Sequence, residues 1–187
     1  MIIAPQQYFI EKNGYFPGSK LPVLHYEQAL QLPMFFPGKF VKSLFQKHNW
    51  SNNWRNGVYT FHHYHSTTHE AMAVIKGQAM ILLGGIHGRN VLLKKGDVII
   101  IPAGVAHMNL GDEKDIICIG GYPSGRNYDI NYGRADDHPK VENNIRFLPV
   151  PDTGPLYGHA DPLVTIWKSG QVHQMTRRNI DGHLNVQ

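Results

Sequence analysis

Turn-forming residues interrupt the middle of the chain at short, even intervals. Asn56-Gly57, Ser66-Thr67-Thr68, Lys76-Gly77, His87-Gly88, Lys95-Gly96-Asp97 and Ala103-Gly104 stand about 8 to 11 residues apart, the turn spacing of an antiparallel sandwich or barrel. Between them lie short stretches rich in β-branched and aromatic residues: Val58–His65, Ala71–Ile75, Ala79–Leu83, Asn90–Leu93, Val98–Ile101, His107–Leu110 and Asp115–Gly121. None sustains a helical period, so the block reads as all-β.

The flanks read differently. Phe40, Val41, Leu44, Phe45 and His48 recur at helical spacing, with Lys39, Lys42, Gln46 and Lys47 on the other side. This predicts one short flanking helix from Pro37 to Asn49 on the outside of the sheets, with its proline in the first turn. Leu21–Tyr26 reads as an edge strand, because Pro22 is tolerated there. Beyond residue 122 the chain is rich in Gly, Pro, Asn and Asp, with one expected strand at Leu163–Lys168. Ser169–Gln187 reads as a polar tail ordered by a partner or by the barrel wall. With no repeat and no boundary, residues 1–187 are expected to form one domain: a barrel core over about 55–123, with both extensions packed on it.

Composition narrows the classes. A 42% hydrophobic share with 17% charged residues is that of a folded globular chain. No apolar run approaches the roughly 18 residues of a membrane span. The start, MIIAPQQYFIEK, lacks the basic region and long apolar core of a secretory signal. The lone Cys118 has no internal disulfide partner, so the expected compartment is the cytoplasm and no membrane partner is expected. The +4 net charge is dispersed, with Lys94-Lys95 and Arg177-Arg178 as the longest pure basic runs, so nucleic acid is not expected either. What departs from the ordinary is histidine: 12 of them, with His62, His63, His65 and His69 close together.

Strand parity sorts that cluster. His63 and His65 share a face with Tyr59 and Phe61, while His62 points to the barrel exterior. The Ser66–His69 turn brings Glu70 back beside the pair at the start of the next strand. Farther on, Gly96-Asp97 turns into the apolar run ending at Pro102, and His107 opens the following strand. Laid beside Val58–His65, it completes three imidazoles and one carboxylate: His63, His65, Glu70 and His107. That mixed set suits a divalent first-row metal and leaves coordination positions open. His69 could present its imidazole in place of Glu70; if Glu70 starts the strand, His69 faces away, as a surface or supporting residue. Tyr59 and Phe61 are expected to line the barrel, with Tyr59 able to touch a substrate. Tyr64 and Trp54 are expected to support the wall or a dimer face.

The bland readings cover the rest. Gly77, Gly96 and Gly104 are turn residues, His87 sits in an exposed hairpin loop, and Cys118 is a buried inert thiol. Asp136-Asp137-His138 is solvated, and His159, His173 and His183 receive no role.

These residues resemble the cupin superfamily. Gly57, His63, His65, Glu70 and Gly77 match every fixed position of its first motif, and Gly96, Pro102, Gly104 and His107 match its second. The closing Asn of the second motif is absent: Gly111 stands there, with Asn109 two residues earlier. The strings FPGSKLPVLHY, WRNGVYTFHHYHSTTHE, GGYPSGRNYDI and PVPDTGPLYGHADPLVTIWK narrow the resemblance to the YjlB-like bacterial cupins. It implies a double-stranded β-helix (jelly-roll) barrel, frequent homodimers, and a divalent transition metal: Fe, Mn, Ni, Zn or Cu. It also implies a wide range of activities, among which fold does not choose. The leading expectation is a metal-dependent enzyme, dioxygenase- or isomerase-like, acting on a small organic molecule in the barrel. The competing one is a non-catalytic protein that binds a small carbohydrate or anion around a structural metal.

Overall fold

The computed structural model describes residues 1–170; the expected tail, with His173 and His183, lies outside the described residues apart from Ser169 and Gly170. Eight strands and two helices follow in chain order: β1 (Gln6–Tyr8), β2 (Val23–Tyr26), α1 (Pro37–Lys47), β3 (Trp50–Asn56), β4 (Glu70–Leu83), β5 (Arg89–Lys94), β6 (Val98–Ile101), β7 (His107–Asn109), β8 (Ile116–Pro123) and α2 (Lys140–Phe147). Residues 162–170 add a further helical run. The strands pair in the order β1-β2-β6-β4-β8-β3, all antiparallel, with β5 and β7 attached to β4. The all-β jelly-roll expectation therefore holds.

β4 is the spine. Its first half pairs with β6 and β8, and its second half with β5 and β7. Lys76-Gly77, expected as a turn between two strands, is instead a corner within one 14-residue strand. A register shift between Val74 and Lys76 and a left-handed Gly77 (φ +74°) bend it there. A Cβ on Gly77 would lie 1.9 Å from the Asp115 carbonyl oxygen, so only glycine lets β4 change sheets at this point.

The bend encloses an inner core of Met72, Val74, Ile81, Leu83, Leu93, Ile99, Ile101 and Cys118. Alternate residues of the same strands, Ala71, Ala73, Ile75, Val98 and Ile100, form an outer apolar face. Val41 and Phe45 of α1 cover that face from one side, and Leu163 and Trp167 from the other. Double coverage explains why β6, Val-Ile-Ile-Ile, is buried at every position.

Several expectations change here. β2 is an inner strand between β1 and β6 and not an edge, since Pro22 precedes the ladder and costs it no donor. Val58–His65 makes only two isolated bridges, at His63 and Tyr64, since its polar and aromatic residues line a mouth and not a ladder. Leu163–Lys168 is helical and not a strand. Asp161 accepts the Leu163 amide at 3.0 Å, Pro162 follows it, and Leu163 and Trp167 bury one face four residues apart. Asp137 is not simply solvated, because it accepts the amides of Gly133 and Arg134. His87 is exposed and Cys118 is a buried free thiol, as expected.

α1 begins without a side-chain cap, on Phe36 in the left-handed region (φ 56°, ψ 43°). An aromatic residue there carries strain that Asn tolerates better. Phe36→Asn is expected to stabilise the fold by about 1 kcal/mol, read as a higher urea midpoint. An unchanged midpoint would mean the turn relaxes at no cost.

Candidate metal centre

His63 and His107 face one another across the barrel wall. Their backbones exchange both hydrogen bonds, His107 N–H to His63 O at 2.9 Å and His63 N–H to His107 O at 3.3 Å. The pairing expected from sequence thus forms, as an isolated bridge. Two residues on, His65 points to the same side. One nitrogen from each of His63, His65 and His107 lies within 4.8 Å of the other two, and all three rings are buried.

Each of these rings is oriented by a main-chain carbonyl. His63 Nδ1 lies 3.3 Å from Phe61 O, His107 Nδ1 lies 3.3 Å from Val105 O, and His65 Nδ1 bonds to Asp129 O. A carbonyl oxygen only accepts, so every Nδ1 must donate, which leaves Nε2 as the free lone pair of each neutral ring. Glu70 enters from the start of β4. Its Oε2 lies 3.4 Å from His65 Nε2 and 3.3 Å from His107 Nε2.

Burial sets the protonation states against each other. Desolvation drives His63 down to about 3, helped by the neighbouring His107, so its ring is neutral at ordinary pH. Burial also opposes charge on His65, but the Glu70 carboxylate overrides it and raises that pKa. Burial would raise Glu70; the two imidazoles against it instead hold it well below the usual carboxylate range. Three convergent nitrogen donors beside an ionised, desolvated oxygen are a donor set that fits a divalent first-row ion.

His69 does not join this cluster. It lies on the outer face with Ala71 and Ala73, accepts the Ala103 amide at Nδ1 (3.0 Å), and packs against Trp167 at 4.8 Å. Strand parity placed it there, but the helix over 162–170 buries it where a surface position was one option. His62 lies outside as expected, half-buried against Phe16. Tyr59 stacks on Phe61 at 4.8 Å, edge-on to His63, while Phe61 is partly exposed. Tyr64 donates to Asp137 and packs on Phe16. Asn109 accepts the Gly111 amide, so it holds the turn from two residues earlier.

Two participants escaped the sequence reading. Tyr122 donates to Glu70 Oε1 at 2.9 Å and accepts from Trp54 Nε1 at 2.9 Å, which fixes the other Glu70 oxygen. Trp54 reaches it because Gly120 leaves room: a Cβ there would lie 1.9 Å from the indole ring. The signal was parity, since Tyr122 lies two residues beyond Gly120 and four beyond the inward Cys118; the expected strand stopped one residue short of it. Asp129 is the second, a loop residue whose carbonyl orients His65; it falls within the string GGYPSGRNYDI, but no ligand spacing or strand parity gives it that role. Tyr128 and Tyr132, both partly exposed, sit near the mouth: Tyr128 packs on His65 and Tyr122, and Tyr132 on Phe61.

With this geometry in view, a family model described as Cupin matches residues 49–134. The uncharacterized protein YjlB of Bacillus subtilis (strain 168) is 33% identical over 163 residues, covering 87% of this chain and 96% of that protein. Among solved structures, acireductone dioxygenase from Bacillus anthracis with cadmium ion in its active center aligns at a TM-score of 0.37 and 14% identity, over 51% of this chain and 64% of that one. Pumpkin seed globulin aligns at a TM-score of 0.35 and 18% identity, over 43% of this chain and 22% of that one. The chain thus spans less than two thirds of either solved structure, and at these scores the likeness of shape says nothing of activity.

Proposed function

The chain belongs to the YjlB-like cupins, and on that premise we propose that it is a metal-dependent enzyme for a small organic molecule. His63, His65 and His107 would hold the ion through Nε2, with Glu70 as the carboxylate ligand. The observation that carries this reading is the set of three Nδ1–carbonyl bonds, which leave Nε2 of each ring as the atom that binds an ion once unprotonated, with the three rings gathered beside an ionised carboxylate. Such an ion, Fe, Mn, Ni or Zn, supplies Lewis acidity, and iron in addition supplies dioxygen chemistry. The chain's own residues do the rest. The apolar inner core keeps water from the donors, and Tyr59, Phe61, Tyr128 and Tyr132 offer ring faces to an entering molecule. A cytoplasmic homodimer is part of the same reading, and a scattering mass near the monomer's 21.2 kDa would count against the dimer.

Elemental analysis of untagged protein tests the centre. About one equivalent of a first-row metal per chain is expected. Protein that takes up no divalent ion after incubation would refute it, and would leave a barrel for plain binding of a carbohydrate or anion. Oxygen uptake on substrate addition then separates oxidation from isomerisation.

Tyr122 is a positioning residue in this scheme. Tyr122→Phe removes the donor to Glu70 and strands the Trp54 N–H, so metal affinity is expected to fall about tenfold. Titration with a competing chelator reads that shift directly. Unaltered affinity would mean that Glu70 is held by the imidazoles alone.

A further inference from the structure

Outside the metal centre, a run of exposed apolar side chains stands at the entrance to α1. Met34, Phe35 and Phe36 are consecutive and exposed by 87%, 75% and 78%, and Phe40 follows one turn into the helix at 42%. Three adjacent protruding apolar side chains are unusual on a surface that meets only water. The turn that presents them is strained at Phe36 and has no side-chain cap; the Phe36 carbonyl accepts the Lys39 and Phe40 amides, but the apolar side chains of the turn are left in water.

Cations frame the cluster. Phe36, Lys39, Lys42 and Arg55 border a groove of about 540 Å³ whose floor is Ile75 and Ile119. No carboxylate lines it, and among the described residues none of the three cations is in an ion pair. Between Glu27 and Glu70 the chain has no acidic residue at all. The N-terminus of α1 adds its partial positive charge, with no acidic side chain in the first turn to offset it.

We propose that this face docks on an anionic lipid surface, with Met34, Phe35 and Phe36 entering the headgroup–acyl boundary and Lys39, Lys42 and Arg55 meeting acidic headgroups. Apolar side chains flanked by basic ones are the composition of interfacial membrane contacts. Lysine is depleted where proteins bind proteins, and here it supplies most of the rim. A second copy meeting this face symmetrically would set the same cations against each other with no acid to answer them. No helix among the described residues is long and apolar enough to cross a membrane, and this contact needs none, because it rests on one leaflet.

Sedimentation of the full chain with vesicles tests the proposal, using phosphatidylcholine alone and phosphatidylcholine mixed equally with phosphatidylglycerol. Binding is expected only to the mixed vesicles, and is expected to weaken as salt is raised. Met34→Ser with Phe35→Ser should lower the partition at least about tenfold, because both side chains leave the boundary. Lys39→Gln with Lys42→Gln should lower it about twenty-fivefold, near fivefold per cation. Met34, Phe35 and Lys39 are exposed and Lys42 is half-buried, so unchanged melting and metal content are the control for folding. No sedimentation with the mixed vesicles, or equal binding to both kinds, overturns the proposal. So does a doubled scattering mass that Met34→Ser with Phe35→Ser returns to that of the monomer, since a second copy would then cover the patch.

Discussion

His63→Ala is expected to leave the protein folded and almost free of metal. Wild-type protein should carry about one equivalent, and the variant a small fraction of it, because a site of three nitrogens and one oxygen loses a third of its imidazoles. His63 is the informative choice among the three. Its ring is neutral and buried, and its side-chain hydrogen bond goes to Phe61 O, so removing it strands no charge. A cost of about 1–2 kcal/mol to the metal-free fold is expected from lost packing. His107→Ala differs, since it takes one of two imidazoles away from the buried Glu70 carboxylate. Its expected cost is larger, about 3 kcal/mol.

The same comparison has a pH dependence. In the metal-free protein Glu70 raises the pKa of His65, and an imidazolium has no lone pair to offer. Metal uptake should therefore release a proton and weaken as pH falls through the raised His65 range. Proton release in a weakly buffered titration checks the sign. At a free metal concentration a hundred times the dissociation constant, wild-type protein should gain about 2.7 kcal/mol that chelator removes. His63→Ala should gain almost nothing. Equal metal content in the two proteins would exclude His63 as a ligand.

The histidines were legible because a period of two and a turn settle which side chains share a face. Reversal at Ser66–His69 brought Glu70 back to His65, and the strand opened by His107 lies beside His63. Parity even sent His69 to the opposite side from Glu70. Legibility failed where tertiary contact decides the local outcome. β3, Trp50–Asn56, is too polar to read as a strand, and it exists because β8 supplies a ladder for it. Leu163–Lys168 carries β-branched and aromatic residues, yet the Asp161 cap and a waiting apolar sheet face make it helical. Asp161-Pro162 is itself a helix-start signal, an acceptor side chain followed by a proline suited to the first turn. Lys76-Gly77 looked like a reversal because glycine marks corners and turns alike, and only the partners on either side distinguish them. The supporting residues were least legible, since Asp129 lies more than 60 positions from the ring it orients.

Asp129→Ala is expected to damage stability and metal affinity together. The carboxylate accepts the Ser66 amide at 2.7 Å, the Ser66 hydroxyl at 2.5 Å, the Thr67 amide at 3.1 Å, the Thr67 hydroxyl at 3.0 Å and Asn131 Nδ2 at 2.9 Å. Partial burial would raise its pKa, but these donors bring it down to about 2. Alanine leaves the Ser66 and Thr67 amides without their acceptor, at an expected cost of about 3 kcal/mol. It also loosens the loop whose carbonyl orients His65, so metal affinity should drop about 10- to 100-fold. The pH test follows from the depressed pKa. A carboxylate held below its unfolded value of about 3.9 contributes fully above that pH and loses its contribution as pH falls through about 2. Allowing for partial exposure, this ionic share is about 1–2 kcal/mol. The urea-midpoint gap between wild type and Asp129→Ala should therefore be widest near pH 7 and narrow as pH drops below about 4. A remainder should persist, because the protonated acid still accepts hydrogen bonds. A gap that stays constant down to about pH 2 would mean that the charge contributes nothing and that the loop is held by shape alone.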